Sequence, residues 1–420
     1  MSSGSGLWTR NFVLLCQAQL VSQFGNQAFT IALMVWTVET THSATMSGMM
    51  MMAGVLPVVV LAPLTGTFVD GHRSRLGIIK TCDLVNGVVI SLLALGFVAA
   101  PSPWRPAILF VAALLVGVCN AFFDPALNTF VPDLVARDQL EAANAFRQSA
   151  RQVTVLVAQG IGGILYALVG PAMLFLFDGV SFLFASATES LIHVDRRSTE
   201  VFRSTPHNGA RGFSRAAVAD GFGYIKAQPG MMGFLITSAL FNALLMPMSL
   251  LLPVYATAHL GTGVRWYGFL LAAISAGAIV GCTIAGARRL KGSGSARRAL
   301  LTASYATLGL ALAVAGQIRS PWIAIGIMFT TGVLSGIINV LVVSIVQRRT
   351  SPEFRGRVLG LHTMMTRALV PIGLVGGGAI ADLTGRNVPL VYGICGSLAL
   401  ASVTVLAGRP STREFLARDY

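Results

Sequence analysis

Charge is scarce in this chain. Only 11% of its 420 residues are Asp, Glu, Lys or Arg, against 54% hydrophobic, whereas an ordinary soluble domain carries about a quarter charged residues. A soluble globule is therefore excluded. The five cysteines (Cys16, Cys82, Cys119, Cys282, Cys395) are odd in number and scattered, so neither a disulfide framework nor a zinc pattern is visible. No G-x-x-x-x-G-K-[ST] loop is present, which removes ATP hydrolysis by the P-loop route. No His-Glu-x-x-His, Gly-x-Ser-x-Gly or paired-aspartate arrangement appears, so nothing points to an intramembrane enzyme. No metal ligand set or cofactor motif is read, and the chain is expected to need neither.

Arginine is also missing from every second gap between the apolar stretches. One set of gaps holds Arg10, then Arg73/Arg75/Lys80, then Arg137/Arg147/Arg151, then Arg196 to Lys226. The set continues with Arg288/Arg289/Lys291/Arg297/Arg298, Arg348/Arg349/Arg355/Arg357 and the tail Arg409/Arg413/Arg418. The alternate gaps hold only Arg105, Arg265, Arg319 and Arg386. Such a bias orients a polytopic membrane protein with its basic loops in the cytoplasm. The net charge of +14 is thus spread over short loops facing anionic lipid headgroups, and nucleic acid is not expected as a partner.

What is present is a succession of apolar runs. A helix needs about 20 apolar residues to cross a bilayer. The qualifying stretches are 12–37, 44–69, 78–100, 105–128, 150–170, 172–194, 231–258, 264–287, 298–318, 320–345, 358–382 and 387–408. The expected fold is an all-α membrane protein with twelve transmembrane helices in two pseudo-symmetric six-helix bundles. Both termini then lie in the cytoplasm, and the expected location is the cytoplasmic (inner) membrane of a bacterium. Gly6 to Arg10 with so long a first span does not read as a cleavable signal peptide. The domains read as an N-terminal bundle over 1–194, a cytoplasmic linker over 195–230 and a C-terminal bundle over 231–420. Within the linker, Phe213 to Gln228 reads as an amphipathic surface helix with Val218, Phe222 and Ile225 apolar.

The halves echo each other. Ala143-Asn144-Ala145 precede Gly162-Gly163 by the same nineteen residues that separate Arg357-Val358-Leu359 from Gly376-Gly377. Two-half duplication marks secondary transporters whose site lies between the repeats near the midplane. Span one carries Gln19, Gln23, Asn26, Gln27 and Thr30 on one helical face. Amides are costly against lipid, so this stripe turns inward, toward a cavity or a neighbouring helix. Span four has Asn120, Asp124 and Asn128, span seven Ser238, Asn242 and Ser249, and span ten Ser335 and Asn339. Interhelical hydrogen bonding for assembly is the alternative for any single one of these. Met46, Met49 to Met52, Met246 and Met248 form a soft set that suits simple packing or a permissive pocket. The protonatable groups within or beside spans are Glu39, Asp124, Asp178 and His362, of which Asp124 and Asp178 are the candidates for proton coupling.

The loop after span two reads Gly66-Thr67-Phe68-Val69-Asp70-Gly71-His72-Arg73-Ser74-Arg75, with Asp83 opening the next span. G-x-x-x-D followed by a basic cluster resembles the signature loop of the major facilitator superfamily. Phe123-Asp124-Pro125-Ala126, Leu140 to Ala145, Phe177 to Phe182 and Arg355-Gly356-Arg357-Val358 resemble its enterobactin exporter and macrolide efflux branch. The resemblance implies that Gly66, Asp70, Arg73, Arg75 and Asp83 serve the inner gate. It also implies that spans one, four, seven and ten line a central cavity. The residues expected there are Gln19, Gln23, Asn26, Gln27, Asn120, Asp124, Asn242, Met246, Ser335 and Asn339. Gly71 stands where the family usually has arginine, and Gln159 replaces the proline of a G-P-x-x-G-G motif in span five. No arginine lies between Ile108 and Phe123, where drug antiporters of the superfamily often carry one.

The expected function is secondary active export of a small amphipathic organic molecule by alternating access, with protons as a candidate coupling ion. Amides and hydroxyls with few charges suit a neutral or weakly charged cargo, and Arg367 in span eleven is the one exception worth testing. The expected partners are the small-molecule substrate and membrane lipids, with the chain acting as a monomer. Two alternatives stay open: a lipid or lysolipid flippase, and a membrane receptor or scaffold that binds without translocating.

Overall fold

The computed structural model describes residues 8–71, 74–136, 139–193, 215–287, 294–351 and 354–417. Every regular element among them is helical. In chain order these are α1 (Arg10–Thr41), α2 (Ala44–Gly71), α3 (Arg75–Ala99), α4 (Arg105–Phe130), α5 (Leu140–Ser190), α6 (Arg215–Ala227) and α7 (Met231–Val254). They are followed by α8 (Val264–Ala287), α9 (Gly294–Ala315), α10 (Pro321–Arg349), α11 (Arg355–Leu383), α12 (Val388–Gly408) and the short α13 (Pro410–Ala417). With no water in the bilayer core, a helix is the form in which an apolar run satisfies all its backbone groups internally.

Among the described residues, nine helices are long and apolar enough to cross a membrane. One of them, α5, holds two arms. Its 51 residues bend at Gly170, which has φ 75° and ψ 173° and precedes Pro171. Only glycine adopts that backbone readily, and proline then restarts the helix at its first position. The bend falls between the two spans that the sequence predicts there. Helix α1 is 32 residues long but lies outside the nine; its amide and hydroxyl stripe lowers its hydropathy. The apolar stretch of α12, Val388–Thr404, is slightly short.

The described chain divides into two compact units: residues 1–33 with 53–214, and residues 34–52 with 215–420. In the first, Phe12, Leu15, Ile79, Ala126, Phe130 and Ile192 are buried in one cluster drawn from α1, α3, α4 and the segment after α5. In the second, Phe234, Phe241, Leu301, Tyr305, Leu341 and Val358 are buried in one cluster. Its buried tyrosines are tied as well as packed: Tyr255 Oη donates to the Ala315 carbonyl at 2.8 Å and Tyr392 Oη to the Met248 carbonyl at 2.9 Å. Outward faces are apolar in both units, with Leu92, Leu95 and Val98 on α3 and Ile323 on α10 well exposed. Trp266 and Trp322 pack edge to face at 5.1 Å at the starts of α8 and α10, as aromatic residues do at a membrane–water boundary.

The linker helix expected over Phe213 to Gln228 is present as α6. It packs against α11 instead of lying apart. Ile225 is buried in the core of the second unit, and Tyr224 stacks on Phe354 at 4.6 Å. Arg357 reaches Asp220 at 3.5 Å, while Phe222 stays exposed.

Candidate substrate cavity

The polar stripe of α1 faces inward. A cavity of about 310 Å³ opens inside the first unit, among α1, α4 and the first arm of α5. Helix α1 contributes Gln19 and Gln23, α4 contributes Asp124 and Asn128, and α5 contributes Asn144, Arg147, Gln148 and Arg151. Cys16, Leu20, Phe123, Leu127 and Ala150 supply the apolar wall. A helical register explains each set. Asp124 and Asn128 are one turn apart on α4, as are Gln19 and Gln23 on α1 and Arg147 and Arg151 on α5.

Two guanidiniums in this cavity change its chemistry from the expectation of few charges. In sequence, Arg147 and Arg151 count with the basic gap before span five and read as topology markers. Helix α5 begins at Leu140, well before the apolar run, so both arginines sit on helix and line the cavity. Arg147 is half-buried. The opposing charge is Asp124, and neither arginine makes an ion pair with it among the described residues. A guanidinium of this kind offers a planar fork of donors to a carboxylate or phosphate.

Of the ten residues expected to line a cavity, Gln19, Gln23 and Asp124 meet here. Gln27 turns aside and accepts a hydrogen bond from Gln159 Nε2 at 3.5 Å, so the glutamine that replaces the family's proline ties α5 to α1. Asn26 and Asn120 are half-buried. In the second unit Asn242 and Ser335 are half-buried and Asn339 is exposed. Met246 packs with Met34, Met51, Val370 and Leu374. Ser238 meets His362 Nε2 at 3.2 Å.

The loop residues divide. Arg73 lies outside the described residues, and for Gly66 and Asp70 only the helical backbone of α2 is described. Ser74 caps α3, its hydroxyl accepting from the Gly77 amide at 3.0 Å. Arg75 pairs with Asp133 at 3.1 Å and donates to the Thr129 carbonyl at 3.0 Å. It thereby ties the start of α3 to the end of α4 in the same unit. Asp83 is fully buried two turns into α3. Asp178, the other proton candidate, is also fully buried, and so is Glu189, which no motif in the sequence marks.

One further contact has no sequence signal. In the second unit, Asp382 in the last turn of α11 receives Ser43 Oγ and the backbone amides of Ala44 and Thr45. Pairing across 338 residues of sequence between two polar helix ends leaves no periodicity to read.

A chain whose described elements are all helical, with apolar outer faces and an internal cavity rich in amides and guanidiniums, is by class a polytopic membrane protein. The family model of the Major Facilitator Superfamily matches residues 15–374, and the chain belongs to that superfamily of membrane transporters. Macrolide efflux protein A of Streptococcus pyogenes is 24% identical over 384 residues, covering 90% of this chain and 91% of that protein. Multidrug efflux pump Tap of Mycolicibacterium fortuitum is 25% identical over 409 residues, covering 94% and 95%. Among solved structures, a bacterial homologue of the iron transporter ferroportin in its inward-facing state has a TM-score of 0.71 at 18% identity, covering 96% of this chain and 100% of that one. The nucleoside transporter NupG has a TM-score of 0.72 at 14% identity, covering 95% and 99%. At these identities the structures speak for the fold alone.

Proposed function

We propose that this transporter exports a small amphipathic organic molecule from the cytoplasm by alternating access, through twelve spans arranged as two six-helix bundles with both termini in the cytoplasm. The observation that carries the reading is the cavity of α1, α4 and α5: a polar pocket with an apolar wall, inside a bundle whose outer faces suit lipid. Its volume of about 310 Å³ falls in the range of small-molecule sites. Relatives named as macrolide and multidrug efflux proteins along nearly the whole chain support the outward direction. Arg147, Arg151 and the surrounding amides favour a cargo with an acidic or strongly accepting edge beside an apolar body. Proton coupling and monomeric action are parts of the same reading. Gly66, Asp70 and Arg73 would serve its inner gate.

Comparing metabolites inside and outside cells, with the gene deleted and overexpressed, tests this directly. A compound retained on deletion and released on overexpression establishes export. A shift of lipid classes between leaflets with no soluble compound moved transfers the reading to a flippase. No movement of either kind transfers it to a receptor or scaffold.

A further inference from the structure

Three carboxylic acids are sealed inside the first unit, none of them lining the cavity. Asp83 on α3 and Asp178 and Glu189 on the second arm of α5 each have no exposed surface. Neither oxygen of Asp83 or of Asp178 has a hydrogen-bond partner among the described residues. Glu189 has one, from Gln19 Nε2 at 3.4 Å, and its other oxygen has none among the described residues.

Close helix contacts fix the arrangement. The antiparallel arm of α5 meets α3 with Gly179 against Ser91, Gly87 against Leu183, and Ser186 Oγ donating to the Lys80 carbonyl at 3.1 Å. Asp83 therefore lies on the α3 face that this arm covers, between the levels of Asp178 and Glu189. Helix α1 closes the third side: Asp178 Oδ1 and Ser181 Oγ occupy the space where Gly25 lacks a side chain. Eleven residues separate Asp178 from Glu189, so the acids are spread over about 16 Å along the bundle. Asn86, 1% exposed and on the same α3 face one turn beyond Asp83, has neither amide atom partnered among the described residues. An unpartnered amide and three acids with unpartnered oxygens are costly at a packed helix interface, so packing alone does not account for them.

The acids stand at successive levels and do not close on a point. Among the described residues, no three Asp, Glu, His or Cys side chains are grouped to hold a metal ion. A proton needs no such shell, and each acid can hold one by itself. The other titratable groups around the acids are Lys80 and Cys82 on α3 and Cys119 on α4. Among the described residues, Lys80 forms no ion pair with Asp83 or Glu189. The lower end of the ladder is joined to the cavity, because Gln19, which binds Glu189, also lines the pocket with Gln23.

We infer that Asp83, Asp178 and Glu189 form a proton-binding cluster between α1, α3 and the second arm of α5, and that its protonation is coupled to the cavity through the Gln19–Glu189 hydrogen bond, which differs between the neutral and the ionised acid. The coupling role rests on the export reading; the proton-binding role does not.

Infrared titration of the purified protein reads the acids directly. Protonated carboxyl groups give a carbonyl band that disappears as they ionise. The wild type is expected to show this band near neutral pH, with D83N, D178N and E189Q each removing about a third of it and the triple variant removing it. A band absent from the wild type, or unchanged in the three variants, overturns the proton-binding cluster. Export of the amphipathic acid 1-anilinonaphthalene-8-sulfonate from proteoliposomes under an imposed pH gradient tests the coupling. D178N and E189Q are expected to export at a rate indifferent to the gradient; variants as gradient-dependent as the wild type overturn the coupling role. If the wild type moves no 1-anilinonaphthalene-8-sulfonate while the band is lost as expected, proton binding stands and the reading of an exporter of acidic amphipaths falls.

Discussion

Asp382, in the last turn of α11, accepts a hydrogen bond from the hydroxyl of Ser43, the residue that opens α2, at 2.7 Å. The same carboxylate accepts the Ala44 amide at 2.8 Å and the Thr45 amide at 2.9 Å. It is an N-cap delivered from another helix. A carboxylate in the last turn of its own helix opposes that helix's dipole. Its gain comes from α2, where it meets two amides that lack partners within the helix. Ser43 Oγ additionally accepts the Met46 amide at 3.1 Å, so hydroxyl and carboxylate share the capping.

D382A should therefore lower stability by about 2 kcal/mol, the scale of a charge-assisted cap. D382N, which keeps one acceptor oxygen, should lose roughly half as much. Thermal melts of the two variants in detergent check the order. Equal losses would mean that the charge contributes nothing beyond shape.

Arg75 belongs to a loop whose resemblance implies gating, yet its visible partners are Asp133 and the Thr129 carbonyl in the same unit. Both side chains are largely covered, at 29% and 12% exposure, so the pair is less screened than a surface bridge. A double-mutant cycle with R75A and D133A should return a coupling of about 1 kcal/mol. A coupling near zero would leave Arg75 to lipid headgroups and topology.

The spans are largely legible in the sequence because each is a long apolar run with its own boundaries, and the stripe of α1 because a helical period repeats within one segment. Even the bend inside α5 is marked by Gly170-Pro171. The side chains of the cavity are half legible. Gln19, Gln23 and Asp124 stand out as polar residues among apolar ones, while Arg147 and Arg151 are hidden in a basic gap that the helix in fact crosses. Asp83 reads as the acid that opens span three beside a gating loop, whereas in space it faces the second arm of α5. Glu189 and Asp382 near helix ends resemble ordinary solvated acids. What buries or pairs them is helix packing between segments distant in sequence, and no period within one segment encodes that.

Two glycines with no atom near an added Cβ should respond in opposite directions. Gly170 has φ 75° and ψ 173°, a backbone that costs other residues about 1–3 kcal/mol, so G170A should destabilise by that amount. Gly96 lies within α3 at ordinary helical geometry with open space around it. There alanine removes up to about 1 kcal/mol of helix penalty, and G96A should stabilise. Melting both variants beside the wild type separates backbone strain from packing, since neither change creates a contact.

The cavity makes the sharpest demand on the cargo. Arg147 and Arg151 lie one turn apart, with Asp124 as the only acid among the described residues that line the pocket, so the site carries an excess of positive charge. Two donor forks at that spacing can hold one carboxylate or phosphate between them. Replacing either arginine by glutamine keeps a donor and some length but removes the charge. A charge-assisted hydrogen bond is worth about 1.5–3 kcal/mol, so R147Q and R151Q should each weaken binding of an acidic cargo by roughly 10- to 100-fold. D124N, which raises the local positive charge, should tighten it. A neutral cargo held by Gln19, Gln23 and Asn128 should shift by much less in all three variants. Concentration dependence of export for an acidic compound and its methyl ester, in each variant, measures this. If the acid and its ester lose affinity equally, the arginines shape the pocket without reading charge, and the cargo is chosen by its apolar body and its hydrogen-bond acceptors.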